Sequence, residues 1–167
     1  MKNDEYTTPP PYPARELNIL LADDDKDDCM FFKEALEELE LSTQLTTVHD
    51  GEQLMKHLTS ETNQLPDVLF LDINMPRKNG LTCLKEIKCS ESLKALPVII
   101  LSTSYDEHIA DQLYKNGAQH FICKPTDFSQ LKKLIQQALD LVAKENTLQP
   151  PRAKFLLSPF KVNPSLI

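Results

Sequence analysis

Val68-Leu69-Phe70-Leu71-Asp72-Ile73-Asn74-Met75-Pro76 is the stretch on which the fold turns. Four consecutive apolar residues leave no polar alternation, which is how a strand reads when both of its faces are covered, as in a parallel sheet between helices. A carboxylate follows directly, where such a strand ends. Met75 and Pro76 then shape a loop.

The same grammar recurs on either side. Strands are expected at 17–22, 45–48, 98–101 and 120–123 besides 68–71, and Val98-Ile99-Ile100-Leu101 and Phe121-Ile122-Cys123 are again apolar throughout. Helical periodicity falls between and after them. It places Cys29, Phe32, Leu36 and Leu39 on one face of 26–40, and Leu54, Met55 and Leu58 on 52–59. It also covers 80–89 and 106–116, with Gly117 as a C-cap. The cleanest stripe is Leu131, Leu134, Ile135, Ala138 and Val142 on 127–144. Five strands alternating with five helices predict a doubly wound α/β fold, a five-stranded parallel sheet flanked by five helices.

The chain has 167 residues, the size of one ordinary domain, with 41% hydrophobic and 26% charged residues. A net charge of -7 argues against a general nucleic-acid binder, which needs a basic face. No run approaches the ~18 apolar residues of a membrane span. The start carries Pro9, Pro10, Pro11 and Pro13 without an apolar core, so it does not read as a signal peptide. Cys29, Cys83, Cys89 and Cys123 show no zinc or Cys-x-x-Cys spacing and read as packing residues of a cytoplasmic protein. The expected division is a flexible proline-rich arm (1–16), a domain (17–145) and a proline-containing tail (146–167). Phe155, Leu156, Leu157 and Phe160 make that tail too apolar for a solvated linker; it either covers its own domain or clasps a second copy.

In doubly wound sheets ligands bind beyond the carboxyl ends of the strands. Asp23, Asp24 and Asp25 stand there after the first run, Asp72 after the third, Ser102 after the fourth and Lys124 after the fifth. Carboxylates converging on one rim repel, and a hard divalent cation such as Mg²⁺ relieves the repulsion while bridging to phosphate oxygens. Lysine and serine supply a positive charge and a donor, and aspartate can accept a phosphoryl group. Asp25, Asp27 and Asp28 read instead as a capping cluster for the next helix. His49, His57, His108 and His120 share no metal spacing and read as surface or satisfied core residues.

The segment 17–144 resembles the receiver domains of bacterial two-component response regulators, in the single-domain, chemotaxis-type layout. The resemblance rests on Leu20-Leu21-Ala22-Asp23-Asp24-Asp25, Leu71-Asp72-Ile73-Asn74-Met75-Pro76, Gly80, Ile100-Leu101-Ser102-Thr103, Gly117-Ala118 and Lys124-Pro125. It implies the flavodoxin-like receiver fold. It also implies Asp72 as phosphoacceptor, and Asp23, Asp24, Asp72 and the Asn74 backbone carbonyl as Mg²⁺ holders. Ser102 and Phe121 would be switch residues, and Lys124 would pair with the phosphoryl group. Pro125 would follow a bond that is often cis in this family. Thr103 is bulkier than the residue usual after the switch hydroxyl. The last strand and its flanking helices would form the partner surface, with Tyr105 and Gln112 as exposed candidates.

The expected function is a stand-alone switch rather than an enzyme. A histidine kinase or phosphotransfer protein donates to it, and it acts on an unknown downstream protein, with neither nucleic acid nor membrane as partner and a homodimer left open. Two rival readings are weaker. A receiver-fold interaction module working without phosphorylation is opposed by the complete Asp23, Asp24, Asp72, Ser102 and Lys124 set. An aspartyl-phosphate phosphohydrolase usually carries a second aspartate two residues after the nucleophile, where this chain has Asn74.

Overall fold

A computed structural model of the chain describes residues 16–145 and 148–159. All but the last residue of the expected arm therefore lies outside the described residues. The elements are β1 (Leu17–Ala22), α1 (Lys26–Glu38), β2 (Thr43–Val48), α2 (Gly51–Thr59), β3 (Val68–Asp72) and α3 (Gly80–Cys89). They continue with β4 (Val98–Ser102), α4 (Glu107–Lys115), β5 (His120–Cys123), α5 (Phe128–Glu145) and a 3₁₀ turn at Arg152–Lys154. The strands form one parallel sheet in the order β2-β1-β3-β4-β5, so the doubly wound expectation holds.

Strand alternation splits the core in two. Leu20, Ala22, Leu69, Leu71 and Ile100 point to the face that also buries Leu54, Leu84 and Leu113 from α2, α3 and α4. Ile19, Leu21, Val68, Phe70, Ile99 and Leu101 point to the other, against Phe32 and Leu36 of α1 and Leu134 and Ala138 of α5. Every residue of β3 and β4 is buried, which is why their sequences read as unbroken apolar runs.

Helix starts are fixed by side chains in the loops that follow the strands. Asp25, Asp50, Asn79 and Asp106 each accept a hydrogen bond from a backbone N–H in the first turn of α1, α2, α3 and α4. Asp127 does the same for α5 through Gln130 N, at 3.0 Å. Each such cap is worth about 1 kcal/mol.

Helix ends shift by a residue or two, and three strand boundaries differ from the sequence reading. β2 begins at Thr43 rather than 45, because Thr43 and Gln44 pair with Leu17 and Asn18 at a polar edge where apolar content gives no signal. β3 and β4 each include one residue more, Asp72 opposite Leu101 and Ser102 opposite Cys123. The two functional candidates are thus the last strand residues, held by the ladder itself.

The described part of the tail lies on the outer flank of β5. Phe121 N donates to Phe155 O and Leu157 N to Phe121 O, both at 2.9 Å, forming a short parallel bridge between Phe121 and Leu156. Phe155 is fully buried and meets Phe121 and Tyr114 edge-on. Arg152 donates from Nε to Asp111 at 2.7 Å and from Nη2 to Glu107 at 3.1 Å and the Tyr105 hydroxyl at 3.2 Å. Tyr114 donates to Pro150 O at 2.7 Å. The described residues of the tail, 148–159, thus pack on their own domain; Phe160 lies outside the described residues.

Candidate functional site

Strand order reverses between β1 and β3: the chain leaves β1 outward to β2 and returns on the other side. The carboxyl ends of these two strands therefore open a crevice. Asp23 and Asp24 follow β1 there, and Asp72 ends β3. Carboxylate oxygens from the three residues all lie within 4.8 Å of one another. Among the described residues this is the one group of its kind.

Their environments differ. Asp23 is 1% exposed; its Oδ1 accepts from Asp25 N at 3.0 Å. Its backbone carbonyl meets His49 Nδ1 at 3.1 Å. Asp24 is exposed. Asp72 is 5% exposed, and its Oδ1 accepts from Asn74 N at 3.3 Å. Burial pushes the Asp72 carboxyl up to about 7; Lys124 opposes that push and Asp23 adds to it. A buried carboxylate facing another without full compensation is a destabilised arrangement, and it is the arrangement a divalent cation relieves. The donor set fits a hard cation: carboxylate oxygens at the mouth of a crevice, one of them open to solvent.

Gly80 sets the floor of this crevice. Its N–H donates to Ile73 O at 2.8 Å, and a Cβ on it would collide with the Asp72 carbonyl oxygen and stand 2.8 Å from Ile73 Cα. Only glycine lets the start of α3 approach the backbone of the acidic strand end so closely.

Lys124 reaches across from the end of β5. Its Nζ donates to Asp23 Oδ2 at 2.7 Å and Asp28 Oδ2 at 2.9 Å, and stands 3.8 Å from Asp72 Oδ2. Burial works against the ammonium charge, but the hydrogen bonds to Asp23 and Asp28 outweigh it and hold Lys124 above its ordinary range. Ser102 is 2% exposed at the end of the neighbouring strand, and its Oγ accepts from Ser104 N at 3.4 Å. Asn74 and Thr103 are exposed on the two loops.

Asp23, Asp24, Asp72 and Lys124 thus come together, with the Asn74 N–H on Asp72, while Ser102 ends the neighbouring strand and Phe121 stands apart. Phe121 pairs with Ile100, below the rim, and packs edge-on against Tyr105 with ring centroids 5.3 Å apart. Tyr105 is only half-exposed, being engaged by Arg152, whereas Gln112 is exposed as expected. Three expectations need correction. Asp28 is more than a cap residue, because its side chain belongs to Lys124; its position in the first turn after the rim was its only sequence signal. The Lys124–Pro125 bond is trans, the isomer an X–Pro amide intrinsically favours. His120 is buried with Nε2 2.8 Å from Glu145, but its Nδ1 has no partner among the described residues, so it is half satisfied.

These features define a doubly wound α/β domain with an acidic, cation-receptive crevice at its switch point and a lysine over that crevice. The chain belongs to the response regulator receiver domain family, whose model matches residues 19–136. Response regulator Rcp1 of Synechocystis is 31% identical over 122 residues, 71% of this chain and 83% of that protein. The crystal structure of the phosphorylated cyanobacterial phytochrome response regulator RcpA superposes with a TM-score of 0.70 at 31% identity, covering 81% of this chain and 99% of that one. The Mn²⁺-bound form of Rcp1 gives 0.69 at 29% identity, covering 80% and 99%. Receiver domains are signalling switches that take phosphoryl groups from histidine kinases. Among the described residues no helix is long and apolar enough to cross a membrane.

Proposed function

We propose that this chain is a cytoplasmic response regulator receiver in which Asp72 accepts a phosphoryl group from a histidine kinase or histidine phosphotransfer protein, in a Mg²⁺-dependent reaction that switches a protein-binding surface. The observation that carries this reading is the buried Asp72 carboxylate, crowded by Asp23 and Asp24 and overhung by Lys124 at 3.8 Å. That the related Rcp1 has a Mn²⁺-bound form and RcpA a phosphorylated one supports it.

Asp23, Asp24, Asp72 and the Asn74 carbonyl would hold the cation, which when bound neutralises charge on the phosphoryl oxygens. An Asp72 oxygen attacks phosphorus as the bond to the donor nitrogen breaks; the imidazole keeps the electron pair. Lys124 and the Ser102 hydroxyl then bind the new phosphoryl group and bias the equilibrium of the surrounding loops. Phe121 would follow by packing alone, having no hydroxyl. Residues 17–145 form the receiver, with 1–16 as arm and 146–167 as tail. The chemistry is limited to its own phosphorylation and dephosphorylation, so the chain is a switch and not an enzyme.

Incubation with Mg²⁺ and acetyl phosphate should add the mass of one phosphoryl group, with acetate released. Asp72→Asn and chelation of the metal should each abolish the gain. An unmodified wild type would instead favour an interaction module working without phosphorylation.

A further inference from the structure

Asp28 sits in the first turn of α1, and capping accounts for its backbone: its N–H donates to Asp25 Oδ1 at 3.1 Å. Capping does not account for its side chain. The Asp28 carboxylate accepts from Lys124 at 2.9 Å, across 96 residues of sequence. Lys124 thus spends two of its three N–H bonds on Asp23 and Asp28, and stops 3.8 Å short of Asp72.

The two carboxylates that hold the ammonium are not equivalent. The Asp23 side chain is 2% exposed and that of Asp28 is 35% exposed. Leaving a buried carboxylate uncompensated is expensive, whereas a partly exposed one is rehydrated when its partner departs. Asp28 is therefore the releasable half of the pair.

We propose that Asp28 is a positioning residue that parks the Lys124 ammonium away from Asp72 in the resting state. A phosphoryl group on Asp72 must draw the lysine off Asp28 before the two can pair. The strength of the Asp28–Lys124 contact then sets how strongly the resting state is favoured. This rests on the phosphoacceptor reading of Asp72, and the experiment separates the two.

Asp28→Ala and Asp27→Ala remove one negative charge each from the same helical turn, but only Asp28 touches Lys124. Asp28→Asn serves as a second variant that keeps the side-chain volume. Beryllofluoride, a phosphoryl mimic, is titrated at saturating Mg²⁺, and the Lys124 ζ-nitrogen resonance is followed by NMR without metal. Asp28→Ala should tighten beryllofluoride binding about five- to tenfold and Asp28→Asn by less, both displacing the lysine resonance. Asp27→Ala should leave the resonance in place and affinity within about twofold of wild type.

Equal affinities for the Asp27 and Asp28 variants would reduce the effect to general charge and overturn the parking role. Weaker binding by Asp28→Ala would overturn it too, since Asp28 would then be holding the lysine in its productive place. Failure of the wild type to bind beryllofluoride would sink the phosphoacceptor reading instead. The lysine resonance would still decide the positioning, which is overturned if Asp28→Ala leaves it unmoved.

Discussion

The rim at the ends of β1 and β3 and the outer flank of β5 both gather charged side chains at short range, and they settle those charges in opposite ways. On the flank, Arg152 faces Asp111, Glu107 and the Tyr105 hydroxyl, with its guanidinium carbon 5.5 Å above the Phe155 ring. Each of these groups is favourable to the one guanidinium they surround. On the rim, three carboxylates crowd within 4.8 Å while one ammonium leans toward two of its neighbours and away from the most strained. A satisfied cluster glues a segment in place. A frustrated one costs stability until something binds, and that is the physical mark of a working site.

The largest effect expected from this contrast is on the flank. Phe155→Ala empties a fully buried aromatic site between Phe121 and Tyr114, and should cost about 3 kcal/mol in urea unfolding. A loss near zero would mean that the tail is not glue at all.

On the rim the sign reverses. Metal-free Asp72→Asn should be more stable than wild type by about 1–3 kcal/mol at pH 8, because it removes a buried, crowded charge. The folded Asp72 carboxyl keeps its proton up to about 7, against an ordinary value of 3.8. Folding therefore takes up a proton between those values. The favourable contribution of the protonated group is complete below about pH 4 and is lost as pH rises through about 7. Thermal melts in chelator from pH 4 to 8 should show wild type falling behind Asp72→Asn across that window, and added Mg²⁺ should close part of the gap. Parallel pH profiles for the two proteins would break the comparison.

The smallest effect concerns the half-exposed ion pairs of the flank. Arg152→Ala should cost about 1 kcal/mol in low salt, and the difference should shrink at 1 M salt as screening removes the charge contribution. A salt-independent loss would reassign Arg152 to packing on Phe155.

What could be read from the sequence followed burial. Val68-Leu69-Phe70-Leu71 and Val98-Ile99-Ile100-Leu101 announce themselves because both faces are covered, and with them the positions of Asp72 and Ser102. The edge strand β2 was legible only from Leu45, since Thr43 and Gln44 are strand by virtue of hydrogen bonds to β1 and not of hydrophobicity. Asp23, Asp24 and Lys124 could be placed at the rim from strand ends alone. That Lys124 prefers Asp28 to Asp72 could not, because it depends on which of several carboxylates an arching side chain reaches. The tail's apolar residues were visible, but the two backbone hydrogen bonds to Phe121 that set its register leave no pattern.

Those two bonds also bear on how copies of the protein keep apart. An open sheet edge is a template on which any passing strand can add. At one end of this sheet the exposed edge is β2, whose polar Thr43, Gln44, Thr46 and Thr47 make it a poor adhesive. At the other end lies His120-Phe121-Ile122-Cys123, apolar enough to be sticky, and there the segment around Leu156 has already taken the vacant place. A chain shortened to the end of α5 would keep its helices and lose its seal, and clumping rather than unfolding is the failure to watch for.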